Sequence, residues 1–231
     1  MPRVVASIPS EVTEVEKRAV VNAVSSIGVR KVYLIEAPKA AAMGCSLDIT
    51  SPHGILIADV GSGTADIAVL SLGGIACCNS IKVGGEAMDD SIVTYMRKTH
   101  NLLIGERTAE DIKLKIGSAL EYDGEAAMEV RGRNLTDGLP GSVEITSSDI
   151  REVLQEPVGQ ILTAVKETLE VTLPELSADI IDRGIYLTGG ASRLRGLRDL
   201  IENEIKIPII VPENSTDCVA LGTSIKLRRA K

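Results

Sequence analysis

The stretch Asp59-Val-Gly-Ser-Gly-Thr-Ala-Asp66 concentrates oxygen ligands and backbone freedom in eight residues. Gly61 and Gly63 let the backbone approach a ligand closely, and successive N–H groups of such a turn form a nest for an anion. Thr64 adds a hydroxyl. Asp59 and Asp66 are hard oxygen groups suited to Mg²⁺ or to its bound water. The chemistry these residue types offer is the holding of a phosphate beside a cation. A plain hairpin turn rich in Asp, Gly and Ser has the same composition, so the stretch alone does not decide.

Two further stretches carry compatible chemistry. Ile185-Tyr-Leu-Thr-Gly-Gly-Ala-Ser-Arg193 reads as an apolar strand, a glycine pair and a helix start, with Ser192 as its cap. A helix N-terminus reached through Gly-Gly is a ready anion or nucleotide site. Glu110-x-x-Lys113 places a carboxylate and an ammonium on one helix face, which on a surface helix is also the spacing of an ordinary ion pair.

The elements that position these residues follow from apolar patterning. Strands are expected at 3–8, 31–36, 54–59, 65–71, 74–83, 127–131, 142–146, 184–188 and 207–211. Helices are expected at 13–27, 38–44, 86–99, 107–120, 147–172, 192–205 and 215–228, the first opened by a Thr13-x-x-Glu16 capping box. The Asp59–Asp66 stretch therefore joins two strands. That separates it from the P-loop and from the dinucleotide fingerprint, both of which open a helix. The order of elements is α/β with an antiparallel meander inside it.

Composition narrows the function classes. The 231 residues carry a net charge of -7, no Trp, no Phe and four Tyr, so the core is aliphatic. A general nucleic-acid role lacks both the basic footprint and the stacking aromatics. The four cysteines, Cys45, Cys77, Cys78 and Cys218, form no C-x-x-C pair and are expected as reduced thiols. No signal-peptide pattern opens the chain.

Two glycine-rich strand turns far apart in sequence resemble the paired turns of the actin-like ATPases. Within them the chain is similar to the MreB family of bacterial actins. "PSEVTEVEKRAV", "VYLIEAPKAAAMG", "DVGSGTADIAVLSLGGI", "GGEAMDDSIVTYMRK", "NLLIGERTAEDIKLKIGSA", "LPELSADIIDRGIYLTGGASRLRGL" and "VALGT" carry the likeness across essentially the whole chain.

The resemblance implies an actin-like (ribonuclease H-like) fold, mostly its domain II with a remnant of domain I. The expected division is 1–50 as that remnant and 51–214 as domain II, with a small subdomain inserted at about 100–146 and a C-terminal helix and tail at 215–231. It implies ATP with Mg²⁺ as ligands. Gly61, Ser62, Gly63 and Thr64 would face the phosphates and Asp59 would support the metal. Glu110, Asp111, Ile112 and Lys113 would lie on the ribose and adenine side, and Gly189, Gly190, Ala191 and Ser192 would form the adenosine turn. Thr64 is the residue expected near the attacking water. Self-association into filaments, partnership with full-length MreB-type filaments and the cell-wall synthesis machinery, and a place in the cytoplasm with membrane association either indirect or lost complete the expectation.

Two departures from the family pattern qualify it. No Asp-x-Gly turn for a first phosphate loop precedes Val4, which reads as an N-terminally truncated form. Ala37 occupies the position before Pro38 where the family places a water-directing Glu, while Glu36 lies one residue earlier and, on a strand, would face the opposite side. A truncated, catalytically impaired paralogue that modulates full-length filaments is the second reading.

Overall fold

The computed structural model describes residues 3–29 and 31–229. In chain order the elements are β1 (Arg3–Ile8), α1 (Glu14–Ser26), β2 (Lys31–Glu36), α2 (Ala37–Gly44), β3 (Ile55–Val60), β4 (Ala65–Ser71) and β5 (Gly74–Ile81). They continue as α3 (Gly85–His100), β6 (Leu102–Leu103), α4 (Glu106–Ile116), β7 (Ala127–Asn134), β8 (Pro140–Thr146), α5 (Ser147–Glu170) and α6 (Pro174–Arg183). β9 (Ile185–Thr188), α7 (Leu197–Ile205), β10 (Ile209–Ile210) and α8 (Cys218–Arg229) close the series.

A five-stranded sheet in the order β10-β9-β3-β4-β5 carries the core. β3, β4 and β5 form an antiparallel meander, whereas β9 adds to β3 in parallel and β10 to β9 in parallel. β3 is central, and all six of its residues are buried. Its period-2 alternation divides the core in two. Leu56, Ala58 and Val60 face a large cluster with Met88 and Ile92 of α3 and Leu154, Val158 and Ile161 of α5. Ile55 and Ile57, with Ala68 and Leu70 of β4, face Ala41 and Ala42 of α2 and Cys218 of α8.

α2 and α8 thus form a layer against the second face of that sheet. On their far side lies a separate parallel pair, β1-β2, which packs Ile35 against Ala40 and Met43 with Val5 and Ile225 beside them. The α2–α8 crossing is unusually close. A side-chain carbon on Gly44 would stand 1.9 Å from the Cys218 carbonyl oxygen, and one on Gly222 would stand 1.8 Å from that of Ala40. Only glycine permits such backbone contact. A third sheet, β6-β7-β8, is antiparallel and packs Val130 and Ile145 into the large cluster.

Several expected elements differ in detail. The segment 192–205 is not one helix: residues Gly190–Arg193 make a 3-10 turn, and α7 begins only at Leu197 after the left-handed Gly196. α4 ends at Ile116 rather than 120, because Gly117 breaks to an extended backbone and Ser118 bridges to Arg195. α6 is an additional helix, started by Pro174, in a segment where no periodic signal marked it. α1, although capped as expected by Thr13 and Glu16, buries none of its residues fully.

Candidate functional site

The turn at Gly61–Thr64 is built from strand register outward. β3 and β4 pair so that Asp59 lies opposite Asp66 and Val60 opposite Ala65, leaving four residues to reverse the chain. The Gly61 amide donates to the Thr64 carbonyl at 2.8 Å. The carbonyls of Gly61 and Ser62 accept from the amides of Gly85 and Glu86 at 3.0 and 2.8 Å, so the turn rests on the first turn of α3. Across a trans peptide N–H and C=O point in opposite directions. The N–H groups of Ser62 and Gly63 are therefore directed away from α3.

This contact explains a glycine pair that sequence reading passed over as a site. A side-chain carbon on Gly84 would stand 2.5 Å from the Ser62 carbonyl oxygen and 2.6 Å from that of Gly61. Gly84-Gly85 thus lets α3 bring its N-terminus against the turn. The sequence signal was a Gly-Gly pair directly before a helical pattern, the same signal that was read at Gly189-Gly190. The partial positive charge of the α3 N-terminus then adds to the anion-binding character of the turn.

A cavity of about 870 Å³ opens here, lined among others by Gly61, Ser62, Gly85, Glu86, Glu110, Lys113, Gly190 and Ala191. It unites stretches drawn from Gly61 to Ala191 of the chain. A smaller recess of about 130 Å³ continues from it between Met88, Leu114, Gly117, Ala191 and Leu194, with Arg193 and Arg195 at its rim.

Not every expected residue reaches the cavity. Gly63 and Thr64 lie on the turn but outside the lining, and the Thr64 hydroxyl donates to Asp66 Oδ2 at 3.2 Å. Asp111 is exposed on α4 and Ile112 is fully buried in the core, because one helical face cannot turn four successive residues to one ligand. Ser192 is buried and bonds the Gly189 carbonyl at 2.6 Å, so it braces the turn rather than capping a helix. Gly189 itself has φ +87°, and a side-chain carbon there would stand 2.2 Å from the Val60 carbonyl oxygen. Glu110 and Lys113 do not pair with each other: Lys113 Nζ meets Asp89 Oδ2 at 2.7 Å and the Gly85 carbonyl at 3.0 Å.

The two aspartates sit on the face of the sheet turned toward α2 and β1. Asp59 is buried and accepts from Thr188 Oγ1 at 2.7 Å. Burial pushes its carboxyl up to about 6, with the Thr188 bond pulling it down and the Asp66 charge raising it further. Asp66 accepts the Ser10 amide at 3.1 Å, and the Ser10 hydroxyl is buried without a partner. A pair of neighbouring carboxylates with an unclaimed hydroxyl is a donor set that fits a divalent cation otherwise ligated by water and phosphate. Among the described residues, no group of three or more His, Cys, Asp or Glu could hold a metal by itself.

Ala37 is the first residue of α2, and it is buried. It lies just past the C-terminal end of β2, as Ser10 lies past that of β1, since Ile8 pairs with Glu36. Glu36 precedes the helix and pairs with Lys39 at 3.4 Å. The strand-to-helix change at this point, not strand alternation, separates the two positions.

The family profile described as MreB/Mbl protein matches residues 1–231. The chain belongs to the MreB/Mbl family. It is 44% identical to the cell shape-determining protein Mbl of Bacillus subtilis over 98% of its own length and 68% of that protein. It is equally 44% identical to the cell shape-determining protein MreB of Escherichia coli, over 96% of this chain and 64% of that one. The chain thus spans about two thirds of the length of these MreB and Mbl relatives. Among solved structures it is similar to MreB5 of Spiroplasma citri bound to ADP, with a TM-score of 0.93 and 39% identity over 98% of this chain and 69% of that one. The AMPPNP-bound form of that MreB5 gives a TM-score of 0.92, over 97% of this chain and 68% of that one. The MamK double helical filament shares the fold with a TM-score of 0.81 at 18% identity, over 99% of this chain and 68% of that one. The fold is therefore the actin-like one that the MreB motifs implied.

Proposed function

We propose that this chain is an actin-like cytoskeletal subunit that binds ATP or ADP with Mg²⁺ and assembles into filaments that help determine rod cell shape by guiding cell-wall synthesis. One observation carries the reading. A single cavity gathers Gly61 and Ser62 of the phosphate-type turn, the α3 N-terminus, Lys113 and the Gly190-Ala191 turn. It does so in a fold whose relatives at 39% identity were crystallised with ADP and AMPPNP.

The residues divide the work by chemistry. The N–H groups of Ser62 and Gly63 offer donors to phosphate oxygens, and the positive end of α3, whose Gly85 and Glu86 amides are held by the turn, adds only its field. Lys113 adds a charge at the same edge, and the recess between Leu114, Ala191 and Leu194, rimmed by Arg193 and Arg195, offers a slot of mixed apolar and basic lining for a base. Asp59 and Asp66 would hold Mg²⁺ through its waters, and the ion would neutralise phosphate charge and shield a leaving group. Thr64 sits beside Asp66 at the edge where an attacking water would approach. Ala37 leaves that edge without the water-directing Glu of the family pattern, so slow turnover is expected.

Among the exposed apolar side chains, which also occur on α1, α4, α6, β10 and α8, two groups are offered as contact surfaces for assembly. Leu72 stands in the β4–β5 turn, at the end of the large sheet remote from the Gly61–Thr64 turn, Val171 and Leu173 lie in the α5–α6 connection, and Leu135 and Leu139 stand at the tip of the β7–β8 hairpin. No helix among the described residues is long and apolar enough to cross a membrane. We place the protein in the cytoplasm, with any membrane attachment indirect and with the cell-wall synthesis machinery as its partner.

Calorimetric titration with ATP and Mg²⁺, combined with sedimentation of the purified chain, tests the reading. Saturable binding and nucleotide-dependent pelleting are expected. Absence of both would sink it. Binding without pelleting alone, but with pelleting in mixed filaments of a full-length MreB, would instead mark a modulating paralogue.

A further inference from the structure

The most constrained charge in the cavity is Lys113, and what constrains it lies on another helix. Its ammonium crosses from α4 to α3 and meets Asp89 Oδ2 at 2.7 Å and the Gly85 carbonyl at 3.0 Å. Both side chains are largely shielded, at 12% exposure for Lys113 and 16% for Asp89. Glu110, the partner that spacing on α4 suggests, is exposed and makes no such contact. An ammonium has three N–H donors, so two are fixed and one is left.

The position of that nitrogen matters. It lies 3.3 Å from the point where a side-chain carbon on Gly85 would stand, and the same point is 3.8 Å from the Gly61 carbonyl oxygen and from Ser62 Cα. The ammonium is therefore parked at the edge of the phosphate-type turn. It is also beside the positive end of α3, which repels a cation. Asp89, one helical turn into α3, supplies the negative charge that holds it there. Asp89 is held in return at a cost: its Oδ1 is buried with no partner, and burial raises its carboxyl above the ordinary range while Lys113 pulls the other way. An arrangement that leaves a buried acceptor unmade is a poor choice for stability alone.

We propose that Asp89 is a positioning residue for the nucleotide: it fixes the Lys113 ammonium so that its remaining N–H meets the ligand already oriented. This rests on the nucleotide-binding reading above. A freely rotating lysine would lose rotamer freedom on binding, whereas a pre-oriented one does not. The pairing also neutralises the Lys113 charge, which makes it a directional donor rather than a general attractor of anions.

The test is a double-mutant cycle on the full chain, with ADP and AMPPNP titrated calorimetrically in the presence of Mg²⁺. Asp89→Asn keeps the shape and removes the charge. It is expected to weaken binding roughly ten- to a hundred-fold, the worth of one charge-assisted hydrogen bond. Lys113→Met should weaken binding similarly, and the double variant should be no weaker than Lys113→Met alone. A ¹⁵N signal from the Lys113 ammonium, protected from solvent exchange, is expected in the native chain, should shift on adding ADP, and should vanish in Asp89→Asn. That signal decides the matter even where Asp89→Asn fails to fold, because a native ammonium signal that ignores ADP would overturn the proposal. Native binding with undiminished affinity in Asp89→Asn, or losses that simply multiply in the double variant, would overturn it and leave the nucleotide reading standing. No binding by the native chain would remove both.

Discussion

Asp59 shows how one residue can be legible in type and still gain its character from packing. The expectation that it supports a metal came from the motif, but its elevated pKa comes from burial between β3 and the α2–α8 layer. The difference between 3.8 and about 6 corresponds to roughly 3 kcal/mol. A carboxyl raised on folding takes up a proton between about pH 4 and 6, so its burden on stability is absent at the low end, grows as pH rises through 6 and is constant above. Asp59→Asn should therefore raise the melting temperature at pH 7 and flatten that part of the pH–stability profile. It should also abolish the gain in ATP affinity that Mg²⁺ gives. A melting temperature lowered at pH 7 would show that the carboxylate is compensated. Ala37 is the complementary case, a position where the residue type was informative because the expected chemistry is missing. Ala37→Glu should raise ATP turnover by roughly 10²–10⁴ with little change in ATP affinity. Unchanged turnover in a phosphate-release assay would show that the site lacks more than a base.

At the scale of elements, glycines that read as turns or helix interruptions prove to be contact points. Gly44 and Gly222 lie in helical patterns where sequence alone charges them only with low propensity. The structure puts each against a backbone carbonyl of the opposite helix, which cannot move aside. Gly222→Ala or Gly44→Ala should cost about 3 kcal/mol in denaturant unfolding. Gly159→Ala, on α5 with open space around it, should stabilise slightly. Equal effects at all three would contradict the close crossing. The βαβ unit β1-α1-β2 is a second element-scale matter. It has a two-stranded sheet and a helix with no fully buried residue. Amide exchange is therefore expected to be faster in residues 3–36 than in β3, β4 and β9, and slower exchange there would refute this.

For the whole molecule, the question is how the cavity and the ends communicate with other copies. α5 runs 24 residues from Ser147 beside the β7–β8 sheet to Glu170, next to the exposed Val171 and Leu173. At 1.5 Å per residue that helix spans about 36 Å, from the C-terminal end of β8 to the turn that holds Val171 and Leu173. Two apolar ends so placed suit head-to-tail association, which extends without closing. Replacing Leu72 and Val171 by Asp, or Leu135 and Leu139 by Asp, should abolish pelleting while leaving ATP affinity within a factor of about two, because neither pair touches the cavity. Pelleting that survives both double variants would place the contact elsewhere.

The sequence by itself determined the alternation of strands and helices, the glycine turns and the family, because these depend on local backbone preference and on residue types at fixed spacing. It made Lys113 a candidate, through its place beside Glu110. It did not reveal that Lys113 answers to Asp89, twenty-four residues earlier on another helix. Nor did it show that Gly84 admits the carbonyls of Gly61 and Ser62. α6 escaped because its start rests on Pro174 and on packing rather than on a long periodic run. Partner choice across elements was decided only by the tertiary structure, since it depends on how close two backbones can approach and on which charges burial forces together.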